Sequence, residues 1–266
     1  MNCFYIIANY NKEYAGEARD QILTYLESHG AVCFSSGTVP KEVQCVITIG
    51  GDGTLIQTAR DLAGRNIPLL GVNRGHLGYL NQVSREEDIA WAMDALLEDK
   101  YQLERRMMIT GKALRGGELL LEDIALNEIA ITRFDPLKVL RYSVYVNDEY
   151  LNSYSADGVL VSTPTGSTAY NLSAGGPVIS PAARMMVLTP ICSHSLNARS
   201  LVLAPEDRVR IEVANSGQVA AFDGDTFVKL EEGDWVCIEP SRLETVMIKL
   251  KQVSFMQNLS NHLGGI

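Results

Sequence analysis

The residues best suited to chemistry are Gly50-Gly51-Asp52-Gly53-Thr54, directly after the apolar run Cys45-Val46-Ile47-Thr48-Ile49. A β-branched run that stops at glycines predicts a buried parallel strand ending in a tight loop. Glycine lets the main chain approach a ligand closely, and successive N–H groups at a loop-to-helix junction suit phosphate oxygens. Asp52 is the odd member of such a loop. Beside bound phosphates its charge is repelled unless it takes a hydroxyl proton or helps to hold Mg²⁺. The plainer alternative is a tight turn in which Asp52 bonds its own backbone. Placement after a buried strand favours phosphate chemistry.

A second stretch runs from Asp157 to Pro177. It opens with the strand-like Val159 to Ser162 and continues into Thr163-Pro164-Thr165-Gly166-Ser167-Thr168-Ala169-Tyr170-Asn171-Leu172-Ser173-Ala174-Gly175-Gly176. Hydroxyl side chains both donate and accept, as ribose and phosphate require, and Tyr170 offers a ring face for a base. The segment from Thr165 to Tyr170 predicts a helix start aimed at an anion. For any single residue, the alternative is a Ser/Thr-rich turn capping a helix. Asn127-Glu128 interrupts an apolar stretch, so that polar pair is either satisfied internally or faces a ligand. Asp223-Gly224-Asp225 reads as a hairpin turn. Arg74, Arg133, Lys138 and Arg199 are candidate phosphate contacts, although each alone reads equally as a solvated charge.

Other chemistries are missing from the sequence. There is no GxxxxGK[ST] phosphate loop and no GxSxG elbow, and Gly51-x-Gly53-x-x-Ile56 lacks the third small residue of a dinucleotide fingerprint. The four histidines stand apart, without metal-ligand spacing.

These groups must be positioned by two kinds of element. Over the first hundred residues strand and helix signals alternate. Cys3 to Ala8 reads as a strand. Ala15, Ala18, Ile22 and Leu26 mark a helix ended by Gly30, and Ala31 to Phe34 and Cys45 to Ile49 are strands. Leu55 to Ala63 reads as a helix, Pro68 to Val72 as a strand, and Ser84 with Glu87 as a capping box before a helix carrying Ile89, Met93, Leu96 and Leu97. Such alternation predicts a Rossmann-like α/β domain whose ligands bind beyond the carboxyl ends of the strands. From about Leu103 the pattern becomes short β runs: Leu119 to Ile131, Val139 to Val146, Val209 to Val213 and Trp235 to Ile238. Asn147-Asp148 and Glu232-Gly233-Asp234 read as hairpin connections. The division expected is 1–103 as α/β domain and 104–246 as β-rich domain, with 247–266 packing back on the first.

At 266 residues the chain can bury two cores. Its formal charge of −9, from 23 basic and 32 acidic residues, argues against general nucleic-acid or anionic-membrane binding. Five scattered cysteines without a CxxC pair fit reduced intracellular thiols. No stretch approaches the ~18 apolar residues of a membrane span, and the N-terminus lacks a secretory pattern, so a cytoplasmic protein is expected.

Taken together, Gly50–Thr54, Asn127-Glu128 and the Asp157–Pro177 run resemble the NAD kinase family, in that order and on a chain of matching size. Gly71-Val72-Asn73, Leu77-Gly78-Tyr79-Leu80 and Thr189-Pro190-Ile191-Cys192 add to the likeness. The glycine loop alone is shared with diacylglycerol and sphingosine kinases, so the long hydroxyl-rich run carries the specificity.

The resemblance implies an α/β domain followed by a β-sandwich-like domain, in a homodimer or homotetramer. It implies Mg²⁺-dependent transfer of the ATP γ-phosphoryl group to the 2′-hydroxyl of the adenosine ribose of NAD. Asp52 matches the proton acceptor, with Gly53 beside it. Asn127, Glu128, Asp157, Thr168, Ala169, Tyr170, Asn171, Leu172 and Ser173 match dinucleotide-binding positions. Lys138 falls at a further ligand contact and Asp223 where a carboxylate closes the pocket; no metal ligand is assigned. The chain departs from the pattern at Ser155, Ala156, Ser193 and Asp225, which leaves selectivity between NAD and NADH and the choice of donor open. The competing functions are a lipid kinase on the same glycine loop and a nucleotide sensor without turnover.

Overall fold

The computed structural model describes residues 1–74, 78–135, 139–195, 197–250 and 255–263, the last three of these by their backbone alone. The chain divides into two compact units, Met1–Arg105 with Thr245–Ile266, and Arg106–Glu244.

The first unit is built on parallel strands. Val32–Phe34, Cys3–Ala8, Cys45–Ile49 and Leu69–Val72 lie side by side in that order, and Met247 pairs in parallel with Leu69 on the far side. The helix Ala15–Ser28 buries the four residues that its spacing marks, Ala15, Ala18, Ile22 and Leu26. They pack on Phe4, Ile6, Ile47 and Ile49 of the strands. Each fully buried Leu or Ile there contributes roughly 1.5–3 kcal/mol. Gly30, at φ 81°, ends the helix with its N–H on the Glu27 carbonyl.

Two local expectations are corrected. The helix after the glycine loop is Asp52–Asp61, three residues earlier than the apolar pattern indicates, so Asp52 and Gly53 lie in its first turn. Acidic groups are favoured at that end by the helix dipole. The helix Asp88–Leu97 has no side-chain cap. Instead a turn leads in, with the Asp88 N–H on the Arg85 carbonyl and the Arg85 side chain on the Asp88 carboxylate.

The second unit is antiparallel. Six strands run in the order Leu201–Leu203, Met186–Ile191, Gly158–Ser162, Glu128–Arg133, Gln218–Phe222, Thr226–Leu230. A second layer contains the hairpins Gln102–Arg115/Glu118–Ala125 and Leu140–Val146/Glu149–Ala156 with Val209–Val213 and the start of Trp235–Lys249. Alternate residues of both layers, among them Ile129, Ile131, Val159, Val161, Phe222, Tyr142, Val144 and Ile211, fill one core. The expected α/β-plus-β architecture is therefore present.

Three further readings change. The run Leu119 to Ile131 is two strands, broken at Leu126-Asn127. Trp235 to Ile238 and Thr245 to Lys249 belong to one long strand. Glu232-Gly233-Asp234 joins strands that pair with different neighbours, so it is a turn between layers and not a hairpin. There Asp234, 1% exposed, accepts from the Arg115 guanidinium at 2.8 Å.

Candidate active site

In the first unit the glycine loop lies where parallel strands end. The Asn9 N–H donates to the Ile49 carbonyl and the Gly50 N–H to the Val72 carbonyl, which aligns the carboxyl ends of three strands. The three glycines have different reasons to be there. A Cβ on Gly50 would meet the Thr54 hydroxyl at 2.5 Å, so internal packing demands it; that hydroxyl also accepts from the Asn9 amide at 3.1 Å. A Cβ on Gly51 or Gly53 would meet nothing within 4 Å among the described residues, and neither φ is positive. Neither sterics nor dihedral requires glycine at those two positions; Gly51 is the extended N-cap of the helix, and Gly53, inside it, costs about 0.5–1 kcal/mol relative to alanine. A bare backbone kept at that expense, with N–H groups at a helix start, suits a phosphate that must come close.

Asp52 stands between those glycines, partly exposed. Its Oδ2 accepts the Tyr79 N–H at 2.9 Å and its Oδ1 accepts the Asn81 side-chain amide at 2.5 Å. Each oxygen keeps a further lone pair for a ligand. Sequence reading missed Asn81. Its one signal is the polar pair Asn81-Gln82 lodged between Leu80 and Val83.

In the second unit, Asn127, Glu128 and Asp223 meet at one end of the central strands of the six-stranded sheet, while Asp157 and Arg133 meet at the other end. Glu128 opens its strand directly opposite Ser162, and Phe222 opposes Ile129, which brings Asp223 alongside. The Asp223 carboxylate accepts the N–H groups of Leu126, Asn127 and Glu128 at 2.7, 2.8 and 3.0 Å. This clamp holds the strand break open. Asp223 and Gly224, at φ 50° and 70°, form the tight turn expected of the hairpin. Asn127 is 9% exposed, its carbonyl accepts the Thr163 N–H, and Gly166 lies so close that a Cβ would be 2.2 Å from that oxygen.

Glu128 is 8% exposed, and its Oε2 has no hydrogen-bond partner among the described residues. Burial first, and the neighbouring Asp223 charge second, push its carboxyl up to about 8, against a bond from the Tyr170 N–H. Tyr170 is 39% exposed. Its hydroxyl is raised above the usual range by burial, then by Cys192, Asp157 and Glu128, with Arg133 opposing. Arg133 and Asp157 form an ion pair whose atoms are 3.1 Å apart. Arg133 thus answers Asp157 instead of standing as a lone phosphate contact.

The hydroxyl-rich run turns mostly inward. Thr163 donates to the Leu126 carbonyl, Ser167 to the Pro164 carbonyl, and Thr165 accepts from Arg106. Asn171, fully buried, donates to the Ser167 and Pro177 carbonyls and accepts from Thr189, with Gly176 packed on its amide. No long helix begins at Thr165. A single 3₁₀ turn, Gly166–Thr168, leads to the four-residue helix Tyr170–Ser173, so no helix N-terminus is presented to an anion. Thr168, Ala169 and Leu172 are half-buried, and Tyr170 and Ser173 are exposed. Beneath them, Ala130, Leu160 and Ile191 form a small apolar floor against Ala174. Lys138 lies outside the described residues.

A parallel α/β unit with a carboxylate on an open glycine loop, joined in one chain to a β unit with a buried acidic pair at its strand ends, fits a nucleotide-dependent phosphotransferase. Comparison with known proteins sharpens the class. The family model for the ATP-NAD kinase N-terminal domain matches residues 34–101, and that for the ATP-NAD kinase C-terminal domain matches residues 126–250. The NAD kinase of Lachnospira eligens is 40% identical over 99% of this chain and 100% of its own, and that of Agathobacter rectalis 38% over 99% of each. Two solved structures share the fold. Yeast NADH kinase complexed with NADH has a TM-score of 0.90 at 22% identity, covering 100% of this chain and 88% of its own. An Archaeoglobus fulgidus NAD kinase in complex with ATP has 0.81 at 23%, covering 100% of both. The chain belongs to the ATP-NAD kinase family.

Among the described residues no helix is long and apolar enough to cross a membrane, and no group of three or more His, Cys, Asp or Glu is gathered as a metal cage.

Proposed function

We propose that this protein transfers the γ-phosphoryl group of ATP to the 2′-hydroxyl of the adenosine ribose of NAD, giving NADP and ADP, with Asp52 as proton acceptor. The observation that carries the reading is the pair Gly51 and Gly53, open to solvent and unforced by φ or packing, on either side of a fixed carboxylate. Family membership supplies the substrate class.

A secondary hydroxyl is a poor nucleophile, and phosphoryl transfer has a loose transition state, so positioning and charge stabilisation dominate. The ribose oxygen bonds to phosphorus as the bond to the β-phosphate oxygen breaks, and the hydroxyl proton passes to Asp52. Such proton acceptance is worth roughly 10²–10⁴ in rate. Amides of the glycine loop hold the triphosphate. Mg²⁺ would need few protein ligands, because phosphates and water can complete its shell. When bound, the ion neutralises phosphate charge.

In the second unit, Asn127, Glu128, Asp157 and the segment Thr168 to Ser173 take the dinucleotide, with the exposed Tyr170 ring as a stacking surface. Asn171, whose amide is engaged inside, acts by shaping that segment. Asp223 likewise acts through the main chain of Leu126 to Glu128. The homo-oligomer implied by the family likeness and the cytoplasmic setting expected from the sequence belong to the same reading.

Purified protein given MgATP with NAD should form NADP, and with diacylglycerol should form no phospholipid. Absence of NADP from folded protein that binds NAD would replace the kinase with a sensor.

A further inference from the structure

We infer that Asn81, with Gly78 and the Tyr79 amide, forms a cradle that fixes the Asp52 carboxylate for proton acceptance, which makes Asn81 a positioning residue of the reaction. The inference rests on Asp52 being the acceptor.

Four observations carry it. The Asn81 side chain is 3% exposed, and its Nδ2 donates to Asp52 Oδ1 at 2.5 Å across 29 residues of sequence. The Tyr79 N–H takes the other oxygen at 2.9 Å. Gly78 closes the third side: a Cβ there would lie 2.3 Å from both carboxylate oxygens, although its φ is not one that calls for glycine. The cradle is itself anchored, because the Gln82 N–H donates to the Gly71 carbonyl at 3.0 Å and the Asn73 N–H to the Val83 carbonyl at 2.8 Å. Gly71 in turn has no room for a side chain, since a Cβ would meet Asn81 Oδ1 at 2.4 Å and Leu55 at 2.6 Å.

The physical logic is orientation. A carboxylate at a helix start can rotate about χ1 and χ2, and neutral rotamer changes would swing its oxygens away from a ribose hydroxyl. One donor on each oxygen leaves a single rotamer with a lone pair of each oxygen to spare. Burying an amide costs free energy unless it has partners. Yet Asn81 Oδ1 has no hydrogen-bond partner among the described residues. The residue is thus retained at a position where an apolar side chain of similar size would pack without that penalty, and what it delivers is its bond to Asp52.

The test compares Asn81→Leu, alike in branching but without a donor, and Gly78→Ala, which displaces the carboxylate without altering Asn81. For each, kcat, KM for NAD and the thermal midpoint are measured beside wild type and Asp52→Asn. Both variants should lose about tenfold or more in kcat, the scale of an ångström-level misplacement, while KM for NAD stays within about twofold and the fold persists. A kcat within twofold of wild type in either folded variant overturns the inference, as does a loss confined to KM. Should Asn81→Leu fail to fold, Gly78→Ala with Asn81→Ala, which removes the donor and adds no charge, decides it. Normal turnover in Asp52→Asn would instead remove the acceptor role on which the inference rests.

Discussion

Glu128 and Asp223 hold each other by a reciprocal pair of bonds: the Glu128 N–H donates to the Asp223 carboxylate at 3.0 Å, and the Asp223 N–H donates to the Glu128 carbonyl at 3.0 Å. Two acidic residues 95 positions apart are thereby fixed side by side at the ends of two central strands. One carboxylate spends its charge on main-chain N–H groups, and the other, buried beside it, is driven towards the neutral form.

That arrangement sets a pH dependence. With a folded value of about 8 for Glu128 and an unfolded one near ~4.3, the folded state holds a proton that the unfolded state has lost throughout that window. Stability from this group is fully present below the unfolded value and is lost as pH rises through the folded one, amounting to roughly a few kcal/mol. Glu128→Gln, neutral at all pH, should flatten the decline. Thermal unfolding of both proteins from pH 4 to 9 should show the variant gaining on wild type up to about pH 8. Parallel curves would mean that Glu128 is charged in the fold.

The Asp223 clamp has its own consequence. Asp223→Ala strands three N–H groups of the well-buried segment Leu126 to Glu128, and each buried orphan costs about 1–3 kcal/mol. Urea unfolding should show a loss of at least ~3 kcal/mol, with Asp223→Asn between it and wild type. An unchanged midpoint would leave Asp223 free for a direct ligand role.

Gly53→Ala separates folding from function. Alanine fits the open space and favours the helix, so the midpoint should hold or rise, by up to ~1 kcal/mol. Activity should fall at least about tenfold in kcat/KM for ATP, because a methyl group now stands where phosphate approaches. Retained activity would return the loop to the status of a simple turn.

Asp52→Asn should still fold, although its one side-chain oxygen can accept from only one of the two cradle donors, and should lose at least ~10² in turnover. Steady-state NADP formation by pure protein measures this, and near-normal turnover would exclude Asp52 as acceptor.

Asn171→Ala should cost stability as well as NAD affinity. A fully buried amide with three bonds is replaced by a void and unpaired carbonyls, a change on the scale of ~2–4 kcal/mol. A loss of affinity at constant stability would instead make Asn171 a direct contact.

Local physics was legible in the residues one after another. The stripe of Ala15, Ala18, Ile22 and Leu26 named a helix face, the β-branched Cys45 to Ile49 named a buried strand, and the glycines after it named a tight loop, because side-chain period and backbone permissiveness act over a few residues. The family likeness followed from motifs in order along the chain. Other matters were settled only by the folded chain. The hydroxyls of Thr163 and Ser167 face inward, Asn171 is a strut, Asp223 binds main chain, and Asn81 reaches Asp52. Each of these depends on which partner arrives from 3 to 97 positions away. A hydrogen bond is specified by distance and direction, and sequence spacing alone fixes neither once the chain has turned back on itself.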